Sequence, residues 1–321
     1  MYYIGIDLGG TNIAAGVVDE NHKILKKMSI PTGAWRESDE ITADIASLCR
    51  SVAKEVGLTI DDIESIGIGI PGSACCETGE IFYSCNLPYV NYNIAARLAE
   101  MLGTDKKVYI ENDANAAALA EAVAGAAKGS RYSIMITLGT GVGGGIIIDG
   151  QVYCGFNSAG AELGHIVIEK NGRPCSCGRK GCWETYSSAT GLVRTTKEKI
   201  EECRKTGRKT IMEDMIGGDI ARVSGRTAFA AKRKGDEAAS EVVDTYIDYL
   251  VCGLVNIINI FQPNVLSIGG GISGEGEYLL NMLPEKVFAE TYSRGDTPQC
   301  ELKIAQLGND AGIIGAAALG R

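Results

Sequence analysis

YYIGIDLGGTNIAAGVVD, residues 2–19, is the stretch whose reading decides the fold. An apolar run reaches Asp7, the turn Gly9-Gly10-Thr11-Asn12 reverses the chain, and a second apolar run continues to Asp19. A third such run covers residues 23–30, so the opening reads as three successive antiparallel strands over 2–7, 12–19 and 23–30. The pattern returns in the second half: SIMITLG at 133–139, a glycine turn, then GGGIIIDG at 143–150. A supersecondary unit used twice implies an α/β protein with two lobes of related topology and a cleft between them.

The rest of the chain fills in around those two units. Residues 37–56 carry helical spacing, IESIGIGIPG at 63–72 reads as a buried strand ending at Pro71-Gly72, and 91–102 reads as a helix. In KVYIENDANAAALAEAVAGAA, residues 107–127, a short strand passes into an alanine-rich helix at Asn112 and Asp113. Open α/β sheets hold ligands at such strand ends. A long helix over 239–260, a strand at 265–273 ending in a glycine turn, and a last helix at 310–319 complete the reading. The expected lobes are 1–115, with about 305–321 packing back on it, and 116–304, with an irregular insert at 160–190.

Composition narrows the function. The chain has 321 residues and a net charge of −9, which argues against a nucleic-acid surface. Its 45% hydrophobic content excludes a disordered chain. The apolar run LVCGLVNIINIF at 250–261 is too short to span a bilayer, and no basic leader precedes the first strand, so neither export nor membrane insertion is expected. Three of the 11 cysteines belong to a metal-type cluster; Cys49, Cys75, Cys76, Cys85, Cys154, Cys203, Cys252 and Cys300 are scattered, as buried reduced thiols are. A reducing cytoplasm is the expected compartment.

That cluster is the most specific chemical signal. HIVIEKNGRPCSCGRKGC, residues 165–182, offers His165, Cys175, Cys177 and Cys182, a complete tetrahedral zinc set with no position left for a reactive water. The metal is therefore expected to be structural, with Glu162 and Glu184 flanking it in a polar site. Two G-x-G-x-x-G matches, Gly67-Gly69-Gly72 and Gly139-Gly141-Gly144, do not open helices and are not dinucleotide fingerprints; no Gly-Lys dipeptide, and so no Walker A loop, occurs. Phosphates would instead meet the hairpin turns around Gly9, Gly10, Thr11 and Asn12 and around Thr140 and Gly141, through backbone N–H groups and hydroxyls. Plain hairpin connections, which outnumber phosphate sites, are the competing reading of the same turns. Asp113 suits either a helix N-cap or a general base.

Taken in order, DLGGTN at 7–12, GIPG at 69–72, ENDAN at 111–115, LGTGVGGG at 138–145, ELGH at 162–165 and CSCGRKGCWE at 175–184 resemble the ROK family of sugar kinases and repressors. The resemblance covers essentially the whole chain. It implies an actin-like, ribonuclease H-like two-lobed ATPase fold in which sugar and ATP meet. By the same resemblance Asp113 is the general base, Asp7 holds the Mg²⁺ of Mg-ATP, and Gly270 and Gly271 lie on the adenosine side. The implied sugar pocket comprises Gly72, Asn86, Asn112, Asp113, Glu162, His165 and Glu184, with His165 also a zinc ligand. The form of the metal loop is more like that of glucokinases and N-acetylmannosamine kinases than of the fructokinase branch. The implied reaction is therefore phosphorylation of a hexose 6-hydroxyl, with glucose first and N-acetylmannosamine next, by a homodimer or homotetramer. A ROK repressor would carry a helix-turn-helix, and no basic helix pair precedes Asp7. A catalytically dead sugar sensor is disfavoured by the presence of Asp7, Asp113 and both turns. One departure stands out: SACCETGEIFYSC, residues 73–85, carries a cysteine pair where many relatives have an acidic residue.

Overall fold

The computed structural model describes residues 1–84, 86–293 and 297–321; Cys85, one of the scattered thiols, lies outside the described residues. In chain order the elements are β1 (Tyr2–Leu8), β2 (Asn12–Asp19), β3 (Ile24–Pro31), α1 (Ser38–Lys54), β4 (Ile63–Ile70), β5 (Ser73–Cys75), β6 (Glu80–Tyr83), β7 (Val90–Tyr92), α2 (Ile94–Leu102), β8 (Val108–Asn112) and α3 (Asp113–Ala124). There follow β9 (Ser133–Leu138), β10 (Val142–Ile148), β11 (Gln151–Val152), α4 (Glu184–Ser187), α5 (Ala189–Thr206), α6 (Ile211–Ile216), α7 (Thr227–Lys232) and α8 (Glu237–Phe261). The chain closes with β12 (Val265–Gly269), α9 (Glu277–Leu280), α10 (Pro284–Glu290), β13 (Glu301–Ile304) and α11 (Ala311–Ala318).

The first sheet runs β3-β2-β1-β4-β8 and the second β11-β10-β9-β12-β13. Numbered within each half, both have the order 3-2-1-4-5, so the repeat in the letters is a repeat of topology. In the first, Ile6 lies opposite Ala15 in the antiparallel β1–β2 pair and beside Ile68 in the parallel β1–β4 pair. β8 then adds parallel to β4, with Ile68 beside Ile110. Ile4, Ile6 and Leu8 sit at alternate positions and are fully buried, in one core with Ile41, Ile45, Leu48 and Val52 of α1. Helix α1 starts in a capping box between Glu37 and Glu40, as its opening Glu-Ser-Asp-Glu allows.

The opposite face of that sheet is covered by α11, and closely. A Cβ at Gly5 would stand 1.9 Å from the Ile313 carbonyl oxygen, and one at Gly67 would stand 1.8 Å from that of Ala316. Only glycine lets backbone approach backbone this far. α11 meets α3 in the same way, since a Cβ at Gly315 would lie 1.7 Å from the Ala116 carbonyl oxygen.

The chain divides into two compact units, one of 1–135, 144–161 and 305–321, the other of 136–143 and 162–304. The sequence reading drew its boundary at 115. The structure keeps α3 in the first unit because small residues weld it to α11 and to Gly145, whose Cβ position is 2.5 Å from the Ala118 Cβ. A small sheet β5-β6-β7 also belongs to the first unit and was not anticipated; its strands of three or four residues are too short to show a period.

In the second unit α8 is the central helix. Its 25 residues exceed the run at 250–261 and, by length and composition alone, would suffice to cross a bilayer. Val242, Val243, Tyr246, Ile247, Leu250 and Leu254 are all buried in the protein. Trp183 packs where α8 has Gly253, a Cβ there falling 2.0 Å from the ring, and its indole N–H donates to the Tyr249 carbonyl oxygen at 3.0 Å. The Tyr246 hydroxyl donates to the Ser187 carbonyl oxygen at 2.7 Å, so the segment after the cysteines is pinned to α8 twice over. Cysteines are less uniform than expected: Cys49, Cys203 and Cys300 are buried, whereas Cys75, Cys76, Cys154 and Cys252 are half-buried.

Candidate active site

In the first unit the β1–β2 turn is tied from below by the end of β3. The Thr32 hydroxyl donates to the Gly9 carbonyl oxygen at 2.6 Å, and the Thr32 N–H donates to that of Thr11 at 2.9 Å. Gly10, Thr11 and Asn12 stay exposed at the tip, with Asn86 beside Gly10. Asp7 lies where β1 meets α11. Burial pushes its carboxyl above the usual carboxylate range, and Gly312 leaves it room, since a Cβ there would be 2.6 Å from the Asp7 Cγ.

At the β8–α3 junction the capping duty falls to Asn112, not Asp113. The Asn112 Oδ1 accepts from the N–H groups of Ala114 and Asn115 at 2.9 and 3.3 Å, while its Nδ2 donates to the Gly72 carbonyl oxygen at 3.3 Å. Asp113 is the first residue of α3 and exposed, with Oδ1 accepting the Ala114 N–H at 2.8 Å. Gly72 takes φ 121°, and a side chain there would strike the Tyr83 carbonyl oxygen, so the chain after Pro71 can turn toward Asn112 only through glycine.

In the second unit the turn at 139–143 is braced by the start of α5. The Ala189 N–H donates to the Gly139 carbonyl oxygen at 2.8 Å, and the Thr190 hydroxyl to that of Thr140 at 2.7 Å. The Glu184 Oε2 accepts the Val142 N–H at 3.1 Å and fills the space where a Gly141 side chain would go. Thr140, Gly141, Cys175, Glu184, Thr190 and Arg194 line one cavity of about 400 Å³. Phosphate-turn, metal-ligand and sugar-pocket candidates are thus neighbours within this unit. Glu162 stands exposed before the turn that carries His165, and Gly270 follows β12 at φ 82°, its Cβ position 2.6 Å from the Leu138 nitrogen, with Gly271 exposed beyond it.

The four cluster residues are gathered as their spacing predicts. Ligand atoms of His165, Cys175, Cys177 and Cys182 all lie within 4.8 Å of one another. The His165 Nδ1 is 3.6 Å from the Cys175 Sγ, and the Cys177 and Cys182 sulfurs are also 3.6 Å apart. A tetrahedral zinc with bonds of about 2.3 Å to sulfur calls for edges of about 3.8 Å. Burial and the neighbouring thiols push Cys182 up to about 12, which a bound cation would reverse. The donor set therefore fits zinc. The loop is held open for it by Gly181 at φ 79°, whose N–H donates to the Arg173 carbonyl oxygen at 2.8 Å.

The model of the ROK family matches residues 3–321. The chain belongs to the ROK family. This ROK protein is 36% identical to the glucokinase of Thermotoga maritima over 98% of its own length and 96% of the relative's. Its fold matches a ROK family glucokinase from Streptomyces griseus, solved with glucose and AMPPNP, at a TM-score of 0.78 and 33% identity, covering 99% of both chains. A ROK hexokinase from Thermus thermophilus gives 0.80 at 32% identity, over 99% of this chain and 97% of that one. The mixed α/β sheets are accordingly those of the actin-like ATPase class.

Sequence reasoning missed residues that support the site rather than enter it. Thr32 and Thr190 steady the two turns from distant segments, and Gly312 accommodates Asp7. None lies in a motif; the sequence offers no signal for them beyond their types.

Proposed function

We propose that this ROK protein is an ATP-dependent hexose kinase that transfers the γ-phosphoryl group of Mg-ATP to the 6-hydroxyl of glucose. The observation that carries the reading is the match to the Thermotoga maritima glucokinase over nearly the full length of both chains. The placement of Asp113 supports it. With Asn112 capping α3, the Asp113 carboxylate sits just past a strand end, where it could accept the hydroxyl proton. The sugar oxygen then forms the new bond to phosphorus as the bond to the ADP oxygen breaks, and the proton resides on Asp113.

The turns around Gly9–Asn12 and Thr140–Gly141 offer N–H and hydroxyl donors to phosphate oxygens, and Gly270–Gly271 the approach for adenosine. Mg²⁺ would neutralise phosphate charge, with Asp7 as its carboxylate partner through water. Zinc would supply no reaction chemistry; it would fix His165 and the loop leading to Glu184. With Nδ1 turned to the Cys175 thiol, the His165 Nε2 would be left as an N–H donor for a sugar oxygen, with Glu162 and Glu184 as further polar partners. Gly72, Asn86 and Asn112 would complete the polar contacts that tell one pyranose from another. We place the enzyme in the cytoplasm as a homodimer or homotetramer, on the thiol content and the family respectively.

The test is ADP release from Mg-ATP with glucose, N-acetylmannosamine, mannose, fructose and N-acetylglucosamine. Glucose should give the highest kcat/KM. A higher value for N-acetylmannosamine reassigns the substrate, and no sugar-dependent release from zinc-loaded protein overturns the kinase reading in favour of a sugar sensor.

A further inference from the structure

The first unit holds a second cluster of metal-type ligands, far from the His165 loop in sequence. Cys76 follows β5, Glu111 lies in β8 and Cys154 follows β11, yet their ligand atoms all fall within 4.8 Å of one another. The two sulfurs are 3.8 Å apart, the edge length a tetrahedral zinc with bonds of about 2.3 Å requires. The Ser158 hydroxyl is 4.0 Å from the Cys76 sulfur.

Glu111 is buried at 4% exposure, and Asn112 and Asn115 orient it: its Oε1 accepts the Asn112 N–H and the Asn115 side-chain amide, each at 2.9 Å. That leaves Oε2 for a ligand, with the rotation of the carboxylate already fixed. A buried carboxylate is costly unless something positive compensates it, and among the described residues no ion pair includes Glu111. The cluster opens on a cavity of 390 Å³, lined also by Tyr109, Val152 and Arg321, which gives an entry path and room for a fourth, exogenous ligand.

We propose that Cys76, Glu111 and Cys154 form a second zinc site, distinct from the His165 cluster, with two thiolates and one carboxylate as protein ligands. Thiolate and carboxylate together match the borderline character of Zn²⁺ and not a hard cation such as Mg²⁺. Side-chain rotations of about an ångström close the set to bonding distance. A disulfide between the two cysteines is the competing use of the same 3.8 Å contact. Glu111 argues against it: a neighbouring carboxylate disfavours the thiolate that must attack an oxidant, whereas with a cation it becomes a ligand. Because Glu111 precedes Asn112 and Asp113, a cation here would link the β5–β6 hairpin and the 154–158 segment to the strand that carries the proposed base. The inference does not depend on the kinase reading.

The test is differential alkylation of the intact, reduced protein with iodoacetamide, with and without two equivalents of Zn²⁺ per chain, followed by peptide mass spectrometry. Labelling of Cys76 and Cys154 should fall by about ten-fold or more with zinc, while Cys75, the neighbouring residue at the end of β5 and outside the cluster, keeps its labelling. Zinc content should be two per chain, falling to one in the Cys76→Ser/Cys154→Ser double variant. Equal labelling of Cys76 with and without zinc overturns the site. So does a Cys76–Cys154 disulfide that forms equally fast in zinc-loaded protein. The alkylation arm needs no variant, so poor folding of the serine protein leaves the question decidable.

Discussion

Replacing Glu121 with alanine isolates how the C-terminal segment is fastened to the helix that carries the proposed base. Glu121 is 1% exposed near the end of α3. Its Oε1 accepts the N–H groups of Gln306 and Leu307 at 2.9 and 2.8 Å, and its Oε2 accepts the Ala126 N–H at 2.6 Å. All three are charge-assisted, and truncation leaves three backbone donors without a partner. At about 1–3 kcal/mol for each donor stranded, less the relief of no longer burying a charge, the loss comes to roughly 3–5 kcal/mol. For a unit of this size that corresponds to a fall in melting temperature of roughly 6–20 °C. Gly125→Ala should act in the same direction from outside, because its methyl would fall 2.1 Å from the Glu121 Oε2 and displace the carboxylate. Thermal unfolding by circular dichroism gives the magnitude, and amide exchange at Gln306 and Leu307 gives the location. The reasoning fails if Glu121→Ala melts within about 2 °C of the parent, a shift of under roughly 1 kcal/mol, or if those two amides keep their protection.

Three further outcomes follow from the site and the core. Asp113→Asn should still bind sugar but lose about 10²- to 10⁴-fold in kcat, measured by coupled ADP release; near-parental turnover reassigns the base. Cys177→Ser should lose the His165-site zinc and raise the sugar KM on the order of ten-fold or more while leaving the ATP KM nearly unchanged, as steady-state kinetics with each substrate varied would reveal. Cys49 is fully buried and its thiol is pushed up to about 12, so the unfolded chain releases that proton first and stability falls as pH rises from 9 toward 12. Between pH 8 and 10 this one group should cost about 1.4 kcal/mol, and Cys49→Ala should flatten that part of the pH–stability curve by the same amount. An unchanged slope would place the alkaline loss elsewhere.

The parts of the fold legible in the sequence are those whose burial leaves a mark in it. The apolar runs of β1 to β3 and the helical spacing of α1 and α8 locate those elements to within two residues, because burial imposes an apolar run or a period. The strands of β5 to β7 are too short to express one, and β13 has a single fully exposed and three half-exposed residues. The zinc-type loop was legible because its ligands are close in sequence. The cluster of Cys76, Glu111 and Cys154 was not, since its two cysteines are 78 residues apart and meet only through the topology of the first unit. Capping by Asn112 was hidden for another reason: Asn and Asp are equally good caps, and only the backbone decides which of two neighbours stands at the helix start.

The glycine-lined seat of α11 has a consequence for biosynthesis. Arg321 donates to the Asp19 carbonyl oxygen across 302 residues of chain, so the sheet of the first unit receives its second cover only after those residues have been made. At about 5–20 residues per second, β1 and β2 wait roughly 15–60 s with that face open. A nascent chain in this state presents an uncovered apolar sheet whose glycines can accept no other packing partner as closely. It is a natural client for a holdase, and a premature stop before α11 should produce protein that is degraded rather than merely inactive.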